Sequence, residues 1–347
     1  MRAMNIYFYP LTTKKNTTTH NPYTIHFRNA LKEYYRIVNE KDASSVGILK
    51  TLKYLFRIDV LLLNWIEEIP DNRGGYFQSL YFIFLVYFLK IRKKKVVWVM
   101  HNKLSHVPRN FFIKKVLFKF LLTKSDLIIT HAKEGISFAR SLSGKNEINI
   151  HHFPHPIIPV VENSNHEKEY DILIWGSLAP YKSIDKFLQF LFEHHLEKSY
   201  IIKIVGKATS EEYRKLLMHF RNDNIQIEDC FVERRDLEEL VSKSKTVLFT
   251  YSSESILCSG ALIDSLSMRA VIIGPNSGNF KDLYELGMIH VYKDYNELIP
   301  LLDKVHNTAR IPESLSLDTY FEETSWKKFA GALTKWIDEK NNRKLPV

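Results

Sequence analysis

Short, unbroken apolar runs recur along this chain, spaced widely enough for a helix between each pair. Residues 6–9 read IYFY, 58–64 IDVLLLN, 96–101 VVWVMH and 127–131 LIITH. Further on, 170–175 read YDILIW, 200–205 YIIKIV, 246–250 TVLFT and 270–273 AVII. A strand that alternates in polarity buries one face, whereas a strand apolar throughout buries both. Two-sided burial belongs to parallel sheets whose crossover helices cover each side. Helical spacing of apolar residues at 24–36, 183–193, 211–220 and 260–267 supplies such crossovers. The expected class is therefore α/β with doubly wound, Rossmann-like sheets. At 347 residues the chain suits two domains better than one. The segment His155-Pro156-Ile157-Ile158-Pro159, followed by the polar stretch ENSNHEKE at 162–169, marks the boundary. It predicts a first domain at 1–160 and a second at 168–315, each with its ligands at the carboxyl ends of the strands.

Charge separates the two halves. Residues 1–165 carry 25 Lys and Arg against 11 Asp and Glu, whereas 166–347 carry 24 against 28, so the basicity belongs to the first half. Such a face attracts phosphates, as in anionic lipid. Two segments there predict membrane contact: LYFIFLVYFLKI at 80–91, followed by RKKK, and FFIKKVLFKFLLTK at 111–124, with lysines at 114, 115, 119 and 124. Both fall short of the roughly 20 apolar residues a span needs, but suit a helix lying in the interface. Amphipathic crossover helices are the alternative. Cys230 and Cys258 have no partner at metal-ligand spacing, which argues against a disulfide framework or zinc site and fits a reducing compartment. The opening MRAMNIYFYP lacks the apolar core of a signal peptide and reads as a first strand. The expectation is a cytoplasmic protein peripherally associated with the inner face of the cell membrane, with no nucleic-acid partner.

Chemistry concentrates where strands of the second half end. The run at 170–175 leads into Gly176-Ser177 and then to Lys182, where a helix begins; the run at 200–205 leads into Gly206-Lys207. Such strand-to-helix loops offer backbone N–H groups and an ammonium to an anion. Residues 250–264 read TYSSESILCSGALID, in which Ser259-Gly260-Ala261 opens a helix and leaves its first amides to a diphosphate. One turn on, Asp264 is placed to accept hydrogen bonds from ribose hydroxyls. A further small-residue loop, Gly274-Pro275-Asn276-Ser277-Gly278, ends the next strand on the same edge.

This order resembles the GT-B glycosyltransferases, specifically the E-x7-E (family 4-like) group and its relatives that build bacterial polysaccharides. Residues 176–183 (GSLAPYKS) look like that family's G-R-x(4)-K-G loop, whose lysine contacts the donor diphosphate; Gly206 matches the glycine of its next turn. The stretch from Tyr251 to Asp264 resembles P-Y-x(6)-S-G-A-x(3)-A/E, with Asp264 at the second glutamate, the ribose ligand. Residues 231–241 (FVERRDLEELV) fit the turn that wraps the base. The segment EETSWKKFA, with Trp326 at a helix start, resembles the C-terminal helix that packs back on the first domain, here 316–347. The departures are Ser177 for the arginine, Thr250 for the proline and Ile256 for the first glutamate, with Glu254 the nearest substitute.

In the first half, His101-Asn102-Lys103 and His106 (HNKLSH) look like the family's T-x-H-N segment, and like an H-N-x(3)-H form in β-mannosyltransferase relatives. At a strand end His101 is suited to bind a hydroxyl or exchange a proton near neutral pH. Asn64-Trp65-Ile66-Glu67-Glu68 resembles H-W-x-E, with Trp65 as a stacking face and Glu67 or Glu68 as general base; Asn21-Pro22-Tyr23 resembles the loop before the first helix. The resemblance implies transfer of a sugar at the interdomain cleft from a nucleoside-diphosphate co-substrate to a lipid-linked or saccharide acceptor. No metal or other cofactor is expected to be obligatory, since cations and helix ends can neutralise the diphosphate and no Asp-x-Asp occurs. The rival reading is a non-catalytic basic module for anionic glycan or nucleic acid.

Overall fold

The computed structural model describes residues 4–11, 22–42, 47–103, 109–144, 147–160, 166–252, 256–308 and 314–342. Two compact units divide it: Met1–Pro156 with Thr324–Val347, and Ile157–Glu323.

The first unit runs β1 (Asn5–Tyr9), α1 (Pro22–Leu31), β2 (Arg36–Ile37), β3 (Val60–Asn64), α2 (Gly75–Ile91), β4 (Lys95–Met100), α3 (Phe111–Lys124), β5 (Leu127–Thr130), α4 (Glu134–Ser143) and β6 (Ile150–His152). Its six strands are parallel in the order β2-β1-β3-β4-β5-β6. Strand order reverses between β1 and β3, so ligands of such a sheet belong beyond the ends of those two strands. The apolar VLLLN of β3 is buried along its whole length. Helix α1 stops at Leu31, earlier than the expected 36, because Arg36 and Ile37 leave it to pair with β1.

The second unit runs β7 (Tyr170–Trp175), α5 (Ile184–Glu193), β8 (Ile202–Val205), α6 (Glu211–Met218), β9 (Ile225–Glu228), α7 (Arg234–Ser242), β10 (Ser244–Leu248), α8 (Gly260–Ser267), β11 (Ile272–Pro275), α9 (Gly278–Glu285), β12 (His290–Tyr292), α10 (Tyr295–Thr308) and α11 (Ser314–Glu323). Its strands lie parallel in the order β12-β11-β10-β7-β8-β9, with the reversal between β7 and β10. Successive buried residues of β7 face opposite sides: Ile172 and Ile174 join Phe187 and Leu191 of α5, while Leu173 joins Leu262 and Leu266 of α8 on the other face. This is the two-sided packing that an apolar parallel strand requires.

The C-terminal residues divide between the units instead of forming one closing segment from 316. Leu317 and Phe321 of α11 enter the core of the second unit. Helix α12 (Trp326–Asn342) packs on the first, placing Phe329, Leu333 and Ile337 against the sheet face that carries Phe8, Val97 and Ile129. The Phe329 ring lies 4.8 Å from Phe27, 5.0 Å from Phe153 and 5.3 Å from His131, centroid to centroid.

Removing that ring should leave a void that its neighbours on three elements cannot all fill. Phe329→Ala is expected to destabilise the first unit by about 3–5 kcal/mol, and Phe329→Leu by less than about 1.5 kcal/mol. Urea unfolding monitored by tryptophan fluorescence checks this. Equal midpoints for the two variants would contradict the packing.

Candidate functional site

In the second unit the site is built at the reversal between β7 and β10. Gly176 follows β7 at φ 96°, and a Cβ there would stand 2.9 Å from the Lys182 Nζ. Gly206, after β8, is fixed by close approach instead, since its Cβ would fall 1.7 Å from the Gly176 carbonyl oxygen. The two glycines let the β7 and β8 turns touch and leave room for an ammonium above them. Lys182 fills that room. It is 4% exposed, donates to the Trp175 carbonyl at 3.3 Å and lies 5.5 Å from the centre of the Tyr251 ring. Among the described residues no carboxylate pairs with it, and burial lowers its pKa to about 7.

The surrounding loop is tied to the end of β10. Thr250 donates its hydroxyl to the Lys182 carbonyl at 2.6 Å, and the Ser252 amide donates to the Tyr181 carbonyl at 3.4 Å. Thr250, a departure from the resembled pattern, thus holds Lys182 in place. The Tyr251 hydroxyl lies 3.2 Å from the Ser259 Oγ, which caps α8 by accepting from the Leu262 amide. The ammonium and the positive end of α8 are therefore two neighbours of one tyrosine. In the first turn of α8 the Gly260 and Ala261 amides have no intrahelical acceptor, and a Cβ on Gly260 would meet nothing within 4 Å. An anion at that point finds open space, helix-end amides and a cation.

Other expected residues stand differently. Ser177 is exposed, and Lys207 is exposed and ion-paired with Asp229 at 3.0 Å. Asp264 accepts from the Arg234 Nη1 at 3.1 Å, so a ribose would share that carboxylate with a guanidinium. The segment 231–241 does not wrap as a turn: from Arg234 it is helix α7. Ile256 is buried, and Glu254 lies outside the described residues.

In the first unit, rings gather beyond the ends of β3, β4 and β5. Trp65 stacks on His101 with centroids 4.3 Å apart at 13°. Tyr23 stands edge-on to both, at 5.7 Å from Trp65 and 4.8 Å from His101, and also approaches His131, His155 and Trp326. It belongs to the first turn of α1 rather than to a preceding loop. Hydrogen bonds fix the tautomers. Asn64 donates its Nδ2 to the Tyr9 carbonyl at 3.2 Å, so its Oδ1 accepts from the His101 Nε2 at 3.1 Å. His131 donates Nδ1 to the Phe153 carbonyl at 2.8 Å, leaving Nε2 to accept from the Tyr23 hydroxyl at 2.7 Å.

Burial keeps these imidazoles neutral. It pushes His101 down to about 3 and His155 down to about 4, and holds His131 well below its ordinary value. Of the two roles expected of His101, so low a pKa favours a hydrogen bond to a hydroxyl over proton exchange near pH 7. Glu67 is buried, has no partner for its Oε2, and is pushed up by burial to about 7. Its charged neighbours are Glu68, which is exposed, and Lys114. Asn102 is half-buried beside His101, and Lys103 pairs with Glu134 at 2.6 Å. Asn21 and His106 lie outside the described residues. Sequence reading missed His131 and His155 as members of the cluster; for His131 the usable signal was a histidine directly after an apolar strand, as for His101, and no such signal marks His155. Among the described residues no group of His, Cys, Asp and Glu is arranged to hold a metal ion.

No family model matches the chain, and no curated protein does. Solved structures do match in fold. HepE of Anabaena in complex with UDP superimposes with a TM-score of 0.68 at 10% identity, over 98% of this chain and 100% of that one. AviGT4, a glycosyltransferase involved in avilamycin A biosynthesis, gives 0.60 at 12% identity over 96% of each chain. TarM gives 0.56 at 11% identity over 80% of this chain, which spans only 54% of TarM's length. The fold of two six-stranded parallel sheets is that of GT-B glycosyltransferases.

Lys182 gives anion binding a pH signature. The free protein holds the lysine near half-charged at pH 7, and a bound anion favours its charged form. UDP binding should therefore take up a proton above pH 7 and weaken as pH rises from 7 to 9. Calorimetry in buffers of different ionisation enthalpy reads this uptake. Lys182→Ala should abolish the uptake and lose about 1.5–3 kcal/mol of binding. Proton uptake unchanged in a folded Lys182→Ala protein would remove the lysine from the site.

Proposed function

We propose that the chain is a glycosyltransferase that takes a sugar from a nucleoside-diphosphate donor, a UDP- or GDP-sugar, and passes it to a lipid-linked or saccharide acceptor in bacterial surface polysaccharide synthesis. The observation that carries this reading is Lys182, a buried ammonium that pairs with no carboxylate among the described residues, sharing Tyr251 with the capped start of α8. In the reaction the acceptor hydroxyl oxygen bonds to the sugar's anomeric carbon as the bond to the diphosphate oxygen breaks. The hydroxyl proton leaves to a base, and the diphosphate departs with the added negative charge. A fixed ammonium and helix-end amides stabilise that charge without reorganising, which is where electrostatic catalysis gains most.

Nucleotide binding is assigned to the second unit and acceptor chemistry to the first. There the half-buried Trp65 ring offers an apolar face for a sugar, with the buried Tyr23 packed edge-on behind it, and the neutral His101 offers a hydrogen bond to a hydroxyl. Glu67 is the carboxyl whose pKa suits a general base near pH 7. The proposed place of work is the cytoplasmic face of the membrane, where lipid-linked saccharides are extended. HepE holding UDP supports the donor class by analogy of fold.

A thermal-shift screen of UDP-, GDP- and CMP-sugars finds the donor, because a ligand of the folded state raises its apparent stability. With that donor, His101→Ala should cut turnover by at least about tenfold, a low value for positioning or acid–base roles, while nucleotide affinity stays unchanged. Wild-type turnover in the variant would take His101 out of the mechanism. Absence of both transfer and donor hydrolysis in the wild type, across the panel, would favour a non-catalytic binding module.

A further inference from the structure

Helices α2 and α3 bury one face each and leave the other uncovered by any described residue. On α2 the buried side carries Phe82, Leu85, Val86 and Leu89. The outer side carries Phe77, Leu80, Phe84, Tyr87 and Ile91, at steps of three and four residues, with exposures from 46% at Tyr87 to 82% at Ile91. This is a complete helical stripe of large apolar side chains in water. Phe112 (78% exposed) and Val116 add to it from α3. The two helices meet through Phe120, whose ring contacts both Phe82 and Tyr87. Isolated exposed apolar residues are ordinary, but a contiguous stripe marks a contact surface.

Charge identifies the occupant. Neither α2 nor α3 contains an Asp or Glu. Lys115 and Lys119 are exposed beside Val116, and neither forms an ion pair among the described residues. The Lys124 ammonium lies 5.0 Å from the Tyr87 ring, and Arg92 lies over Phe56, itself exposed, at 5.3 Å. Lys114 takes no part, contrary to the sequence expectation: it is 3% exposed and paired with Asp71 beneath α3. The uncovered face is thus aromatic and aliphatic with a cationic margin. A second copy of the same face would set lysines against lysines across a two-fold axis. Among the described residues no helix is long and apolar enough to cross a membrane, and α2, at 17 residues, is about 25 Å long.

We infer that the outer faces of α2 and α3 dock on an anionic lipid bilayer, with the α2 stripe entering the headgroup boundary and Lys115 and Lys119 meeting lipid phosphates. This deepens the proposed function by naming the surface on which the lipid-linked acceptor is met, and it rests on that reading for its purpose alone. The test is co-sedimentation of the full chain with phosphatidylcholine vesicles, with and without phosphatidylglycerol, alongside UDP calorimetry on each protein. Wild type should bind the anionic vesicles more tightly than the neutral ones, and release them at high salt. Leu80→Glu with Phe84→Glu should weaken binding to both vesicle types by about tenfold or more, and Lys115→Glu with Lys119→Glu to the anionic type only. UDP affinity should be unchanged in every variant, so that loss of lipid binding and loss of the nucleotide site are read separately. Three results would overturn the inference: no vesicle binding by wild type, full binding by the folded glutamate variants, or a vesicle-free dimer that Leu80→Glu with Phe84→Glu dissolves.

Discussion

The Lys182 ammonium sits inside the second unit with a carbonyl at 3.3 Å and an aromatic face as its company. Burial disfavours a cation that no described carboxylate pairs with, and lowers the pKa of this one to about 7. Much of the local architecture exists to keep it there. Gly176 lacks the Cβ that would obstruct the ammonium, and Gly206 lets β8's turn come against Gly176. Thr250 holds the lysine's own carbonyl, and Tyr251 joins the ammonium to the cap of α8. Each of these residues is explained once an anion completes the group.

The first unit solves a different problem. Its buried imidazoles are neutral, with tautomers set by Asn64 and by the Phe153 carbonyl. Neutral donors and acceptors between aromatic rings suit an uncharged, hydroxyl-rich partner as an ammonium suits a diphosphate. The outer helices of the same unit present a third chemistry, apolar side chains among lysines. Charge, neutral polarity and hydrophobicity are thus held on separate elements.

The sequence was most legible where strands are central. β1, β3, β4, β5, β7, β8, β10 and β11 are all apolar runs in it. The four strands it did not reveal, β2, β6, β9 and β12, are the four sheet edges. Edge strands are short and part-exposed, as RI, IHH, IQIE and HVY are, so the two-sided apolar signal is missing from them. Lys114 illustrates a misreading with an available remedy. Positions 114, 117, 118, 121 and 122 share one helical face, and that face is the buried one. The pairing of Arg234 with Asp264 and the contact of Gly206 with Gly176 join residues 30 apart. No local pattern encodes such pairings.

Amide hydrogen exchange with and without UDP tests the central claim most directly, because it reports where the nucleotide sits without presuming a donor sugar or acceptor. Binding at the reversal between β7 and β10 should slow exchange in residues 176–183 and 257–263, including the uncommitted amides at the start of α8. Slowing confined to the first unit, or no slowing in either segment at saturating UDP, would contradict it.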